Sequence, residues 1–127
     1  MPAARRFSRP VLAAIRDSQI VGVRSGEEHR FIGIWAVVVD GRVFVRSWND
    51  KPTGWHRAFL DEPRGALRIP SGRELRVRAK RVRGDRLMDA IDRAYGEKYH
   101  TPASRKWVRG FARSRRRRMT TTELVPR

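Results

Sequence analysis

The sequence predicts a mostly β protein in the β + α class: a small antiparallel barrel of about six strands with flanking helices. An Asp-Gly dipeptide at residues 40–41 separates two β-rich runs, which is a strong hairpin signal. The other β-rich segments are mostly joined by short connections, so antiparallel pairing is favoured over a doubly wound parallel sheet. Closure into a barrel would remove the exposed sheet edges. With 127 residues, the chain is expected to form a single domain, residues 1–127.

Residues 1–18 are predicted to form an N-terminal arm that contains a short helix. Ser8 is placed to cap this helix, and Pro10 falls in the first turn, where its missing N–H costs nothing. The apolar run from Val11 to Ile15 is shorter than the ~7–15 residues of a signal-peptide core. We therefore expect a cytoplasmic protein. A modest strand follows from Gln19 to Arg24.

The central hairpin is predicted from the runs on either side of the Asp-Gly turn. Phe31 to Val39 contains no charged residue, so we expect both faces of this strand to be covered and the strand to lie at the centre of the sheet. It is too short for the ~20 residues of a membrane span. The second run, Arg42 to Ser47, alternates in character and delivers Arg46 and Ser47 to the point where the chain leaves the core.

The segment after the hairpin carries the strongest functional signal. Asn49 to Gly54 has the composition of a loop, and Trp55 to Leu60 is predicted to be a short helix with Thr53 as its N-cap. A helix N-terminus favours an anion. A phosphate binds the mixture of hydroxyl, amine and guanidinium donors that surrounds this point, and the alternative is a set of solvated surface groups. The four side chains concerned are Arg46, Ser47, Lys51 and Arg57.

Two further strands are predicted, at Ala66 to Ile69 and at Arg73 to Arg83. In the longer one, apolar residues alternate with basic ones, so one face packs on a core while the other faces water or an anion. The alternation slips at Arg81-Val82, which indicates a bulge or the end of the strand. The basic face consists of Arg76, Arg78 and Lys80.

The last third of the chain is predicted to be mainly helical. One helix begins near Gly84 and ends near Tyr99, with an apolar stripe that suits packing against the sheet. A shorter helix spans Ser104 to Phe111. Residues 112–119 are expected to form an Arg-rich loop, because runs of like charge are usually solvated. Thr120 to Val125 is β-rich and is expected to return as the final strand.

The composition is strongly basic: 30 Lys and Arg against 13 Asp and Glu give a formal charge of +17. Such a surface attracts polyanions, including nucleic acid. The chain has no cysteine, which excludes disulfides and thiolate chemistry. Glu27, Glu28 and His29 are interpreted as an exposed turn, so no metal site is predicted.

Several of these motifs, in this order, resemble a small bacterial family of unknown function within the flavin-binding split β-barrel superfamily. That superfamily includes pyridoxamine-phosphate oxidases and deazaflavin-dependent nitroreductases. The similarity covers roughly residues 20–127. The motifs are Ile34-Trp35-Ala36-Val37-Val38, Val45-Arg46-Ser47, Trp55-His56-Arg57-Ala58, Ala94-Tyr95-Gly96-Glu97-Lys98-Tyr99 and Thr122-Glu123-Leu124-Val125-Pro126.

The resemblance implies a six-stranded antiparallel split β-barrel that binds FMN or a deazaflavin and acts as an oxidoreductase on a small-molecule substrate. It further implies that Arg46, Ser47 and Arg57 bind the cofactor phosphate, assisted by Lys51 and the amides near Trp55. Arg57 stands where other split barrels have a lysine, so the charge is kept and the geometry changes. By similarity to the deazaflavin enzymes, a substrate-side role falls to Tyr95 and Tyr99, and the alternative is that both are packing residues. Lys98 is assigned to the substrate side as well, because it lies at the same end of the helix.

Two alternatives remain open at this point. The first is a non-enzymatic nucleic-acid-binding protein that uses the basic strand face and the arginine run from 115 to 118, with Trp48 or Trp55 as a stacking surface. The second is a cofactor-free structural barrel. The resemblance also implies a possible homodimer, because many split barrels bury one sheet face between two subunits.

Overall fold

A computed structural model describes residues 6–127, and the prediction for residues 1–5 lies outside this part of the chain. The described residues form a seven-stranded antiparallel sheet and five helices. The helices are α1 Arg9–Asp17, α2 Trp55–Asp61, α3 Asp85–Lys98, α4 Arg105–Arg113 and α5 Arg115–Arg118. The strands are β1 Val21–Ser25, β2 Ile32–Ile34, β3 Ala36–Val39, β4 Arg42–Val45, β5 Arg64–Arg68, β6 Glu74–Arg81 and β7 Thr122–Pro126.

The sheet curls into a nearly closed split β-barrel. Its strand order is β2-β1-β5-β6-β7-β4-β3, so β2 and β3 lie at opposite ends. Only Trp35 separates these two strands in the sequence, so the sheet must bend until its edges meet at one segment. This confirms the predicted fold class. The structure has seven strands where about six were predicted, because the run 31–39 is divided at Trp35.

The prediction that Phe31 to Val39 forms one central strand is wrong. The run supplies both edges of the sheet, with β2 paired to β1 and β3 paired to β4. Ile32 is 47% exposed, so β2 is not covered on both faces. The run lacks charged residues for other reasons. At its end, β3 packs against α1 and α3. At its start, the guanidinium groups of Arg24 and Arg68 lie over the Phe31 ring.

The two faces of the sheet carry separate hydrophobic cores. Val43 and Val45 of β4 join a cluster with side chains from six strands and with α1 and α2. Residues spread so widely around the sheet can meet only on its concave face, so this cluster fills the barrel. Phe44 points the other way and joins the second cluster, which includes Ile91 and Tyr95 of α3 and Phe111 of α4.

Local signals account for most element boundaries. Asp40 and Gly41 have φ values of 51° and 73°, the left-handed pair that a type I′ hairpin turn requires. The Ser8 hydroxyl accepts a 3.4 Å hydrogen bond from the Val11 amide and caps α1, as predicted. Helix α2 differs from the prediction, because its N-cap is Gly54 rather than Thr53 and no side chain caps it.

The predicted Arg-rich loop at residues 112–119 is helical over much of its length. It contains the last two residues of α4 and the one-turn helix α5. The Ser114 hydroxyl starts that turn by accepting a 3.2 Å hydrogen bond from the Arg117 amide. None of the helices within residues 6–127 is long and apolar enough to cross a membrane.

Candidate functional site

Arg46 lies in the interior instead of facing a ligand. Its side chain has 0% exposure and forms an ion pair with Asp92 of α3. Its Nε donates to Thr121 Oγ1 at 2.7 Å, and Nη1 also donates to the Phe111 carbonyl at 3.2 Å. A buried guanidinium needs such partners to offset its lost hydration. Arg46 therefore ties the end of β4 to α3 and α4.

Ser47 shapes the loop that follows β4. Its amide donates a 2.8 Å hydrogen bond to Thr120 Oγ1, and its hydroxyl accepts one from the Asp50 amide at 2.9 Å. Asp50 has a φ of 46°, a left-handed conformation that aspartate tolerates better than most residues. Ser47 is 7% exposed, so its contribution is to position the loop.

Asp50 joins two basic residues from the first turn of α2. Its carboxylate accepts hydrogen bonds from His56 Nδ1 at 2.9 Å and from Arg57 Nε and Nη2 at 3.1 Å each. Partial burial acts to raise the pKa of Asp50, but the hydrogen bonds and charges of His56 and Arg57 outweigh it, and the pKa is lowered. Arg57 keeps about half of its side chain exposed and can still contact a ligand.

The predicted anion site at the N-terminus of α2 adjoins a cavity of mixed charge. This cavity, beside Thr53 and Gly54, is lined by four carboxylate side chains and by Arg64 and Arg127. Lys51 is exposed on the loop. Trp55 is 9% exposed and packs in the barrel core against Phe59. The four carboxylates belong to Glu27, Glu28, Asp61 and Glu62.

A basic cleft of about 580 Å³ opens on the other side of α2. Four parts of the chain form it: Asp50 in the loop after β4, α2, the end of β6, and the segment from α5 into β7. Basic side chains from the last three reach it, beside an apolar patch. The basic residues are Arg57, Lys80, Arg81, Arg115 and Arg116, and the apolar ones are Phe59, Leu60, Ala79 and Met119.

Of the five residues predicted to bind the cofactor, Arg57 alone lines the basic cleft. Arg46 and Ser47 lie directly behind it, because they hydrogen-bond to Thr121 and Thr120, which form its wall. Lys51 and Trp55 do not line this cleft. The cleft therefore lies beside the predicted position and has only Arg57 in common with the predicted set.

The tyrosines predicted for the substrate side belong to the outer core. Tyr95 has 0% exposure, and its hydroxyl donates a 2.9 Å hydrogen bond to the Trp35 carbonyl. Tyr99 stacks on Trp35 with ring centroids 4.0 Å apart and donates to the Gln19 carbonyl. Burial raises the pKa of both tyrosines. These contacts fasten α3 to the seam of the barrel at Trp35.

The side chain of Lys98 also joins parts of the fold through hydrogen bonds. Its Nζ donates to the Ala36 carbonyl at 2.6 Å and to the Ile15 carbonyl at 2.9 Å, which joins α3 to β3 and to the end of α1. Partial burial lowers the pKa of Lys98 to about 8, although Asp17 acts in the opposite direction. Lys98 does not line the basic cleft.

The sequence predicts other roles for several cleft residues. It places Lys80 on a basic strand face and Arg115 and Arg116 in a charged loop, and both segments are candidates for nucleic-acid binding. Nothing in the local sequence indicated that they meet Arg57, since these parts of the chain are more than twenty residues apart. Within residues 6–127, no group of three or more metal-ligating side chains comes together.

The fold defines a split β-barrel protein, and its surface carries a cleft rich in basic side chains. The chain belongs to the family described as "Uncharacterized protein conserved in bacteria (DUF2255)", whose model matches residues 11–124. This confirms the predicted resemblance to a small bacterial family with the split-barrel fold. No curated protein matches the chain in sequence.

Three solved structures are similar in fold. A conserved hypothetical protein from Mycobacterium tuberculosis has a TM-score of 0.65 at 14% identity, covering 100% of this chain and 85% of its own. A putative pyridoxamine 5'-phosphate oxidase from Listeria innocua has a TM-score of 0.61 at 14% identity, covering 92% and 90%. A FAD-binding protein from Mesorhizobium loti has a TM-score of 0.56 at 10% identity, covering 99% and 94%.

Proposed function

We propose that this protein binds a flavin-type nucleotide, FMN or a deazaflavin, in the basic cleft and acts as an oxidoreductase on a small molecule. The observation that carries the proposal is the pairing of five basic side chains with an apolar patch in one cleft of about 580 Å³. That volume falls within the ~300–1,000 Å³ of typical small-molecule sites. A flavin nucleotide has the same two parts, an anionic phosphate and a broad, largely apolar ring.

The donor set suits a phosphate group. Lys80, Arg81, Arg115 and Arg116 are exposed, and the ion pairs found within residues 6–127 do not include them. Guanidinium groups bind phosphate oxygens through paired, charge-assisted hydrogen bonds. Leu60 is 59% exposed and Met119 is 48% exposed, so both have apolar surface that a ring would cover.

A bound flavin would supply hydride transfer, which requires orientation and exclusion of water more than a protein nucleophile. In this proposal Arg57, Arg115 and Arg116 hold the phosphate. The apolar patch orients the ring and limits the access of water. Two proteins with similar folds are described as a putative pyridoxamine 5'-phosphate oxidase and as FAD-binding, which supports the choice of ligand class.

The test is a titration of the purified protein with FMN and with a deazaflavin nucleotide at low salt, followed by absorbance and fluorescence. R115Q/R116Q should weaken binding at least tenfold, since each charge-assisted hydrogen bond contributes ~1.5–3 kcal/mol. R9Q/R16Q removes the same charge from the exposed face of α1 and should bind like the wild type. Binding of neither ligand, or equal loss in both variants, would refute the proposal. K51Q distinguishes the basic cleft from the loop at residues 49–54 that the sequence predicted. Weaker ligand binding by K51Q would favour the loop.

A further inference from the structure

A second cleft of about 760 Å³ lies next to the basic cleft, between the end of β6 and the helices α3 to α5. The two clefts share Arg81, Arg115 and Met119 as lining residues. We call the two adjoining clefts together the basic groove. The second cleft adds Arg83 and Arg113, so the groove extends well past the volume that one mononucleotide phosphate would occupy.

The arginine run of α5 divides into two pairs with different roles. Arg117 turns inward, donating to the Trp48 carbonyl at 2.9 Å with its guanidinium over the Trp48 ring. Arg118 forms ion pairs with Asp89 and Asp92 of α3. Arg115 and Arg116 are exposed and line the groove. Arg117 and Arg118 anchor the helix, and this anchoring holds Arg115 and Arg116 in place at the groove.

The groove concentrates positive charge, with Asp50 and Asp85 as the carboxylates in its lining. Six of its basic side chains are exposed and take part in none of the ion pairs found within residues 6–127. Like charges held close together repel one another and lower stability, so an anion with several charges would stabilise this arrangement. The six are Lys80, Arg81, Arg83, Arg113, Arg115 and Arg116.

We propose that the basic groove binds single-stranded nucleic acid. A flexible strand can follow a concave groove and place a series of phosphates beside the six cations, whereas a duplex carries its phosphates on a convex cylinder and would reach only the rim. The exposed apolar surface of Leu60 and Met119 offers contacts for unstacked bases, which a base-paired duplex does not present. This inference does not depend on flavin binding, because the flavin-free protein is the species expected to bind the strand.

The test measures binding of a fluorescent single-stranded oligonucleotide of about 12 nucleotides, within the ~4–16 nucleotide range of single-strand sites, across a salt series. Six phosphate contacts predict a slope of log K against log salt near −4, at about −0.7 per contact. R115Q/R116Q and, separately, R81Q/R113Q should each reduce the slope by about 1.4. R9Q/R16Q, with the same loss of charge on α1, should leave the slope unchanged.

Three further arms decide between this groove and a general attraction of opposite charges. A duplex of the same sequence should bind at least tenfold more weakly per phosphate, and polyglutamate or heparin at equal charge should compete poorly. Circular dichroism of each variant must match the wild type before its slope is compared. Equal slopes for the groove and α1 variants, duplex binding as tight as single-strand binding, or equal competition by polyglutamate would each overturn the proposal.

Discussion

At the scale of single residues, Arg46 shows how a basic side chain that suggested a ligand site becomes part of the core. Its side chain is fully buried against Asp92, whereas Arg57 pairs with Asp50 while about half exposed. Removing one partner of a buried ion pair typically costs ~3–5 kcal/mol, because the other charge keeps its desolvation penalty. Exposed pairs contribute only ~0–1 kcal/mol.

We therefore expect R46M to lower the free energy of unfolding by about 3 kcal/mol, measured by urea denaturation. R57Q serves as the matched control and should change it by less than about 1 kcal/mol. The double variant R46M/D92N should recover part of the loss, since it removes the carboxylate that Arg46 no longer neutralises and keeps a polar group near Arg118. Equal effects of R46M and R57Q would show that Arg46 is not the internal anchor described here.

Lys98 gives the molecule a titrating contact close to physiological pH. Partial burial lowers its pKa in the folded protein to about 8 from the ordinary value of 10.5. A lysine with a lowered folded pKa binds fewer protons when folded, so stability should rise as the pH increases from about 8 toward 10.5. Urea unfolding across this range should show that rise in the wild type and lose it in K98M. Parallel pH profiles for the two proteins would contradict this assignment.

At the scale of helices and strands, α4 depends on a glycine at one contact. A Cβ added at Gly110 would lie 2.3 and 2.5 Å from two carbon atoms of the Trp48 ring. That ring cannot retreat easily, because Arg117 covers one face at 3.5 Å and the Trp107 ring meets it edge-on with centroids 4.7 Å apart. Gly110 therefore allows the close approach of α4 to the segment that follows β4.

G110A should destabilise the protein by about 1–3 kcal/mol through overpacking, although alanine favours an isolated helix by ~1 kcal/mol. G96A provides the matched control in α3, where the added Cβ meets only Val108 at 3.9 Å. It should stabilise by ~0.5–1 kcal/mol, since position 96 is exposed on the helix. Urea unfolding followed by tryptophan fluorescence measures both, and a stabilised G110A would show that the Trp48 contact is not restrictive.

At the scale of the whole molecule, the structure agrees best with predictions from sequence signals whose residues lie within a few positions of each other. The Asp40-Gly41 turn, the Ser8 cap and the alternation of β6 all appear as expected. The position of the run 31–39 could not be read in this way, because an apolar run has the same composition at the centre of a sheet and at the seam of a barrel. The same limit applies to Arg46, whose partner Asp92 lies on α3, 46 residues further along the chain.

The candidate site was likewise predictable only where its signals are local in the sequence. Arg57 was identified because it lies near a turn and a short helix, both of which are local features. The cleft also needs Lys80 and Arg115, and closure of the sheet brings these residues beside α2. Local clustering of arginine therefore pointed to an anion site in this part of the chain, while the fold decided which arginines have free guanidinium groups.

The charge of +17 leads to a prediction about the stability of the folded molecule. If the unpaired cations of the basic cleft converge in the folded state and separate on unfolding, a divalent anion will bind the folded chain preferentially. Preferential binding stabilises by RT ln(1 + [L]/Kd), which is about 1.4 kcal/mol at ten times Kd. For a domain of this size, that corresponds to a rise in Tm of about 4 °C.

We expect millimolar sulfate to raise Tm above the value in sodium chloride at equal ionic strength, in a scan by circular dichroism. The comparison at equal ionic strength removes simple screening, and the low concentration avoids the general stabilisation that sulfate produces when concentrated. R115Q/R116Q should lose the sulfate-specific rise, whereas R9Q/R16Q should keep it. If both double variants respond like the wild type, the stabilising anions act on the overall charge, and the folded chain does not gather these cations into a site.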